Sequence, residues 1–104
     1  MKLREVHLLD EAVDDLDQGR AFYDAQEIGV GDYFIESVLG DISSLRLHAG
    51  AHRRLLGFFR LLCSRFPFAA YYEIAPRGVI VVAILDMRRN PSWIQQSLGK
   101  RREK

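Results

Sequence analysis

The sequence predicts an α+β fold, in which an N-terminal strand and a helical hairpin pack on a small, mostly antiparallel β-sheet with a short C-terminal helix. Two observations predict it. Apolar residues in the first half of the chain recur at three- and four-residue steps, which is the period of a helix. From Leu55 the pattern changes to strands, and Val79 to Leu85 is apolar at every position, as in a central strand covered on both faces. At 104 residues, we expect a single domain over residues 1–104.

The first elements predicted are a short strand and a helix. Leu3 to Leu9 alternates between apolar and polar residues, which indicates a strand. Asp10 stands where the N-cap of a helix over residues 11–27 is expected. The apolar stripe of this helix consists of Ala12, Val13, Leu16, Gly19 and Tyr23. We expect the acidic run of Asp14, Asp15 and Asp17 to form its solvated face.

A second helix follows a glycine break. Gly29 and Gly31 interrupt the helical pattern, and Asp32 is placed to cap the next helix. Its apolar stripe consists of Phe34, Ile35, Val38, Ile42 and Leu45. Because the connection is only three residues long, the two helices should be antiparallel neighbours. Residues 48–52 read as a loop.

The second half of the chain predicts three strands and a helix. Leu55 to Ser64 reads as one strand, and Phe66–Pro67 as a turn, since proline cannot donate to a sheet. Phe68 to Ile74 alternates, and Pro76-Arg77-Gly78 turns the chain into the apolar strand. Pro91 is predicted at the first position of a C-terminal helix capped by Asn90, with residues 100–104 frayed. Either this helix or a segment of a partner should cover the sheet face opposite the hairpin.

Charge divides the chain into two halves. Residues 1–41 carry eleven acids and three bases, whereas residues 42–104 carry three acids and twelve bases, for a net charge of +1. Such asymmetry indicates a polyanionic or acidic partner for the basic half, unless the charges only solvate helix faces and a sheet edge. No apolar segment resembles a signal peptide or is long enough to span a bilayer, so we expect a cytoplasmic protein without a membrane partner.

Few residues of the sequence suggest a catalytic, metal-binding or cofactor-binding role. His48 and His52 are four apart, but Gly50 lies between them and no third ligand is evident, so no metal site is expected. The single cysteine, Cys63, is expected to be a buried small apolar residue. No nucleophile elbow, phosphate-binding loop or dinucleotide fingerprint is present, so we predict no catalytic residue and no cofactor.

Arginines and aromatic residues interleave in the basic half. This pattern can bind nucleic acid, dock an acidic protein segment, or solvate a sheet edge. Arg88 and Arg89 leave the apolar strand together and project from its end, which favours a functional role for this pair.

An ordered set of short motifs resembles the RelE/ParE toxin superfamily, and most closely its ParE (plasmid stabilisation) branch. The motifs are Ala12-Val13-Asp14-Asp15-Leu16, Tyr23, Gly29 and Gly31 before Phe34, Arg65-Phe66-Pro67-Phe68, Tyr71-Tyr72, and Arg88-Arg89 before Pro91 and Trp93. The resemblance implies the toxin of a type II toxin–antitoxin system, which inhibits DNA gyrase by binding it and is neutralised by a cognate antitoxin.

The resemblance also leads to expected contact residues. Target binding is predicted for Arg88, Arg89, Trp93, Arg65 and Arg60. Antitoxin binding is predicted for Arg53, Arg54, Tyr71 and Arg77.

Two alternatives remain open at this stage. One is a ribosome-dependent messenger-RNA endoribonuclease of the RelE type, and the other is an inactive remnant of the family. Against the ribonuclease, the chain has Asp86 where many members have histidine, and it lacks the arginine and tyrosine typical of that branch near Ala69 and Ile94. It therefore offers no evident acid–base pair for RNA cleavage.

Overall fold

The structure, a computed structural model, describes residues 3–102. In chain order the elements are β1 (Val6–Leu8), α1 (Asp10–Gln26), α2 (Val30–Ser43), α3 (Leu45–His48), β2 (Arg53–Leu55), β3 (Phe58–Leu62), β4 (Phe68–Ala75), β5 (Gly78–Asp86) and α4 (Pro91–Arg102). None of the helices in this range combines the length and apolar character needed to cross a membrane.

The five strands form one mixed sheet in the order β1-β5-β4-β3-β2. β1 pairs with β5 in parallel, and the other three pairs are antiparallel. β5 therefore lies inside the sheet, and its residues from Gly78 to Leu85 are all buried. This confirms both the mostly antiparallel sheet and the central apolar strand that the sequence predicts.

Each face of the sheet has its own apolar cluster. The hairpin of α1 and α2 packs on one face, with Leu16, Phe34 and Val38 against Ala70, Tyr72 and Val81 among others. On the opposite face, Ile94 and Leu98 of α4 pack in a cluster with Tyr71, Val82 and Leu85. Of the two covers considered for this face, the chain's own C-terminal helix is the one present. Its start is also as predicted, because Asn90 Oδ1 accepts a hydrogen bond from Ser92 N–H at 2.7 Å.

An ion pair closes the edge of β5 that β1 leaves uncovered. β1 pairs only with Val79 to Val81. Just beyond, Asp15 accepts a hydrogen bond from Ile84 N–H at 2.9 Å, and Arg101 donates one to the Val82 carbonyl at 2.8 Å. The two side chains also form a bidentate pair, with N···O distances of 2.8 and 2.9 Å. This pair ties α1 to α4 and satisfies backbone groups that would otherwise lack partners.

The register of the sheet changes next to this pair. Tyr71 lies opposite Ala83 but Tyr72 lies opposite Val81, so Val82 is left over as a bulge. The bulge turns Val82 and Ala83 toward the same face, that of α4. Arg101 donates its hydrogen bond to the carbonyl of the bulged residue, Val82. At this position of the sheet edge, a side chain therefore takes the place of a neighbouring strand as the hydrogen-bond partner.

Three sequence predictions about the hairpin are wrong. Leu9, not Asp10, is the N-cap of α1, because Leu9 continues the strand by donating its N–H to the Val81 carbonyl at 3.0 Å. Gly29, not Asp32, is the N-cap of α2, since its φ of 95° favours glycine. Val13 belongs to the predicted buried stripe but is exposed.

The predictions for the chain after α2 also need correction. Leu55 to Ser64 is not one strand but the end of β2, a turn at Leu56–Gly57, and β3. A run rich in leucine and phenylalanine hides this turn, since Leu56 is not a turn-forming residue. His48 ends α3, so the loop starts one residue later than predicted.

The charged segments at both ends of the chain are also more ordered than predicted. Asp15 is not on a solvated face, because its side chain is 9% exposed. Residues 100–102 belong to α4 and are not frayed, while residues 103 and 104 of the predicted tail lie outside the described residues.

Candidate functional site

Two loops meet at the end of the sheet where β5 stops and β4 begins. Phe68 lies opposite Asp86, and Met87 N–H donates to the Pro67 carbonyl at 2.7 Å. The loop before β4 carries Arg65, and the loop after β5 carries Arg88 and Arg89. We call this region the sheet-end surface and define it by Phe22, Tyr23, Tyr33, Arg65, Phe66, Asp86, Arg88, Arg89 and Trp93.

Arg88 is held in place by Asp86. The carboxylate accepts bonds from Arg88 Nε at 3.0 Å, from Nη2 at 2.8 Å and from the backbone N–H at 2.9 Å. The side-chain hydrogen bond from Arg88 lowers the pKa of Asp86 below its usual value, and the same bond raises the pKa of Arg88. The guanidinium also lies 5.7 Å from the centroid of the Phe22 ring. Arg88 is therefore oriented, and its charge is partly balanced.

Arg89 has a different environment. Its guanidinium carbon lies 3.9 Å from the centroid of the Trp93 ring, a close cation–π contact. Within residues 3–102, no carboxylate forms an ion pair with it. The N–H groups of a guanidinium lie in its own plane and point sideways when the group stacks on a ring. Arg89 can therefore still donate hydrogen bonds to an acidic group of a partner.

A row of aromatic rings joins Arg65 to Arg88. Arg65 Nη1 donates to the Tyr33 hydroxyl at 2.9 Å. The row then runs from Tyr33 to Phe66, Tyr23 and Phe22, with successive centroid distances of 5.4, 4.8 and 5.1 Å. Phe22 and Tyr33 are exposed, whereas Tyr23 and Phe66 pack against the core cluster of the hairpin face. The result is an aromatic surface bordered by cations.

The loop that carries Arg65 is anchored to α2. Asp41 Oδ2 accepts a hydrogen bond from Ser64 N–H at 2.8 Å, and Asp41 Oδ1 accepts one from the Ser64 hydroxyl at 3.0 Å. Cys63, just before it, is half-buried, and burial together with the nearby Asp41 charge raises its pKa to about 12. The fold therefore disfavours the thiolate form of Cys63, which is the nucleophilic form.

The loop of the two histidines bonds to the sheet. His52 Nδ1 lies 2.6 Å from the Tyr72 hydroxyl, which also accepts the Gly50 N–H at 2.9 Å. Burial, with a smaller effect of His48, lowers the pKa of His52. Within residues 3–102, no group of three or more histidine, cysteine, aspartate or glutamate side chains is placed to hold a metal ion.

Comparison with known proteins identifies the fold. No protein-family model matches the chain, and no curated protein matches it. A chain in a solved structure described as the chromosomal ParDE TA system from P. aeruginosa does match, with a TM-score of 0.71 and 16% sequence identity over 79% of this chain and 94% of that chain. This chain has a ParE-like fold. The resemblance predicted from the ordered motifs is thereby confirmed at the level of the fold.

On the ParE-like fold, four of the five predicted target-binding residues come together. Arg88, Arg89 and Trp93 lie on one side of the sheet-end surface, and Arg65 lies at the far end of the aromatic row. Arg60 is elsewhere, in β3 beside Tyr71. The sequence analysis does not single out Phe22 or Tyr33. The signal present in the sequence is that each is an aromatic residue immediately before a residue of the apolar stripe of its helix.

The predicted antitoxin-binding residues are dispersed on the ParE-like fold. Arg53 lies opposite Arg60, and Arg54 lies opposite Phe59, so the two arginines point to opposite faces of the sheet. Arg77 is in the β4–β5 turn. Tyr71 is 0% exposed, beneath the surface, and its hydroxyl donates to Met87 Sδ at 3.3 Å. These four residues do not form one continuous surface.

Proposed function

We propose that this chain is the toxin of a toxin–antitoxin pair, which acts by binding a protein target, DNA gyrase, and is held inactive by a cognate antitoxin. The observation that carries the proposal is the likeness of its fold to a chain of the ParDE TA system, which extends over 94% of that chain. The ordered motifs of the sequence and the concentration of bases in its second half support the same function.

The sheet-end surface supplies the contact residues of this proposal. Arg89 and Trp93 present an open guanidinium on an aromatic ring, and Asp86 orients Arg88 beside them. Arginine and tryptophan are among the residues that contribute most to protein–protein binding.

Binding is favoured over RNA cleavage by the state of Asp86. A general acid or base works best with a pKa near the working pH. The carboxyl group at the end of β5 has the opposite property, because the hydrogen bond from Arg88 lowers its pKa. A carboxylate so engaged is favoured in its charged form and orients a cation.

The first test is pulse-labelling of DNA and protein synthesis shortly after the chain is induced alone. Inhibition of gyrase predicts that DNA synthesis stops first and that cells form filaments. If protein synthesis stops first, the proposed target is wrong and the ribonuclease alternative is favoured. If neither synthesis changes while the chain is folded, the chain is an inactive remnant.

Paired arginine substitutions then test the contact residues. Arg88→Ala with Arg89→Ala should abolish toxicity and leave the fold intact, because both side chains are exposed. The matched control is Arg53→Ala with Arg54→Ala, which removes the same charge from exposed positions in β2 and should leave toxicity unchanged. Full toxicity of the first double variant, or equal loss in both, would refute the assigned surface.

A further inference from the structure

The turn between β2 and β3 contains a residue that its conformation does not favour. Leu55 pairs with Phe58, so the turn consists of Leu56 and Gly57, with φ values of 54° and 87°. A two-residue turn with two positive φ angles prefers Asn-Gly or Asp-Gly. Leu56 is the sole non-glycine residue with positive φ among residues 3–102, and a leucine in this region brings its Cβ too close to the carbonyl oxygen.

Leu56 lies outside both apolar cores of the fold. The residue is 41% exposed, so a large part of its apolar surface remains in contact with water. An asparagine would adopt the same backbone with less strain and would expose no apolar surface. A strained residue that leaves apolar surface exposed and joins neither core indicates a role outside the fold.

The turn is held rigidly by its neighbours. Arg54 donates a hydrogen bond from Nη2 to the Gly57 carbonyl at 3.2 Å, and its guanidinium lies 4.8 Å from the Phe59 ring centroid. On the other face, the Arg102 guanidinium lies 5.6 Å from the Phe58 ring centroid. Leu55 packs against the α4-side cluster. A rigid apolar tip binds with little loss of conformational entropy.

Bases surround the tip. Arg53 and Arg54 in β2 and Arg102 in α4 are exposed. A groove of about 420 Å³ starts at Gly57 and Phe58 and is lined by Arg77, Arg102, Glu73, Glu11 and Arg101, whose charge Asp15 balances, so the excess positive charge near the tip lies on Arg53, Arg54 and Arg102. Complementary charge on a partner would therefore be negative, placed around an apolar contact.

We propose that Leu56 is an apolar anchor for a protein segment that combines an apolar contact for the leucine with carboxylates for the surrounding arginines. Two exposed arginines on a three-residue edge strand disfavour addition of a further strand, so the contact is through side chains. If the chain is the toxin proposed above, this segment belongs to the antitoxin; the partner's identity rests on that proposal, but the anchor does not.

The probe is a displayed library of random 16-residue peptides, selected on the purified chain. The anchor predicts selected peptides with an apolar residue flanked by acids. Their affinity should fall at least tenfold for Leu56→Asn, whereas the melting temperature of this variant should stay the same or rise. The control is Leu39→Asn, since Leu39 in α2 is also 41% exposed, and its affinity for the peptides should not change.

Three results would contradict the proposed anchor. The selected peptides could bind the Leu56→Asn variant as tightly as the original chain, or they could lack acidic residues. Alternatively, sedimentation could show that the original chain is a dimer and that Leu56→Asn makes it dissociate. Toxicity is measured separately. If the Leu56→Asn variant loses peptide binding but remains toxic, both proposals are supported. If the original chain binds the peptides through Leu56 but is not toxic, the anchor is supported and only the proposed toxin function is refuted.

Discussion

Asp15→Ala tests the pair that joins α1 to α4 across the edge of β5. The substitution removes both hydrogen bonds from Arg101 and the acceptor of the Ile84 N–H. The arginine then remains in a site where its side chain is 17% exposed, with a hydrogen bond to the Val82 carbonyl and with the charges of Glu11 and Asp14 nearby.

The size of the effect follows from burial and hydrogen bonding. Removing one partner of a buried ion pair costs about 3–5 kcal/mol, and an unsatisfied buried N–H alone costs about 1–3 kcal/mol. Because Arg101 retains some contact with water, we expect a loss of about 3 kcal/mol in the free energy of unfolding. For a domain of this size, each kcal/mol lowers the melting temperature by roughly 4–8 °C, so the total shift is roughly 12–24 °C.

Chemical denaturation at pH 7 measures this loss, and two other variants control for it. Asp14→Ala changes an exposed aspartate of the same helix and should stay within about 0.5 kcal/mol of the original chain. Asp15→Asn keeps an acceptor for Ile84 N–H and should lose less than Asp15→Ala. If Asp15→Ala and Asp14→Ala have the same stability, the pair does not hold α4 and the reasoning is wrong.

Three further predictions concern single residues. Since its pKa is raised to about 12, Cys63 should react with iodoacetamide at pH 9 about two to three orders of magnitude more slowly in the folded than in the unfolded chain; equal rates would show an accessible thiol. Because burial lowers the pKa of His52, the fold favours the neutral imidazole, so stability present above pH 6.5 should decline as pH falls below it, and less in His52→Gln; parallel pH profiles would contradict this. Gly57→Ala should cost about 1 kcal/mol in thermal unfolding, since its φ is 87°, and no loss would show that the turn relaxes.

The sequence predicts those parts of the fold whose signals are local. The apolar run of β5 and the Asn90-Pro91 start of α4 are each encoded in consecutive residues, and the structure has both. The pair of Asp15 and Arg101 is not readable in this way, because its members are 86 residues apart and each lies in a run of like charge. The pair can bond to the edge of β5 because β1 is short and because the bulge at Val82 interrupts the regular register. Neither feature is visible in the sequence around Asp15 or Arg101.

The same distinction applies to the candidate site. Arg88, Arg89 and Trp93 lie within six residues of one another, so their proximity follows from the sequence. Phe22 and Tyr33 reach the sheet-end surface only because the hairpin packs its far end beside the loop of Phe66. The β2–β3 turn is not predicted because turn prediction depends on turn-forming residues, and Leu56 is not one of them.

The register of the sheet places the two proposed surfaces at opposite ends. The sheet-end surface follows Asp86, whereas the β2–β3 turn precedes Phe58, at the end of the sheet that also contains the β4–β5 turn. β5 spans Gly78–Asp86, which at about 3.3 Å per residue separates the two ends by roughly 26 Å. A partner anchored on Leu56 therefore covers Arg88 and Arg89 only if about eight further residues extend along the molecule.

This separation predicts that binding and neutralisation can be uncoupled. If the partner anchored at the turn is the proposed antitoxin, its shortest fragment that binds Leu56 should leave cells sensitive to this chain, and fragments extended by about eight residues or more should protect them. Leu56→Asn should weaken binding of the short and the long fragments alike, because both share the anchor. Protection by a fragment confined to the turn would show that the anchor acts on the target surface from a distance, or that the target itself binds at the turn, and would refute the division into two surfaces.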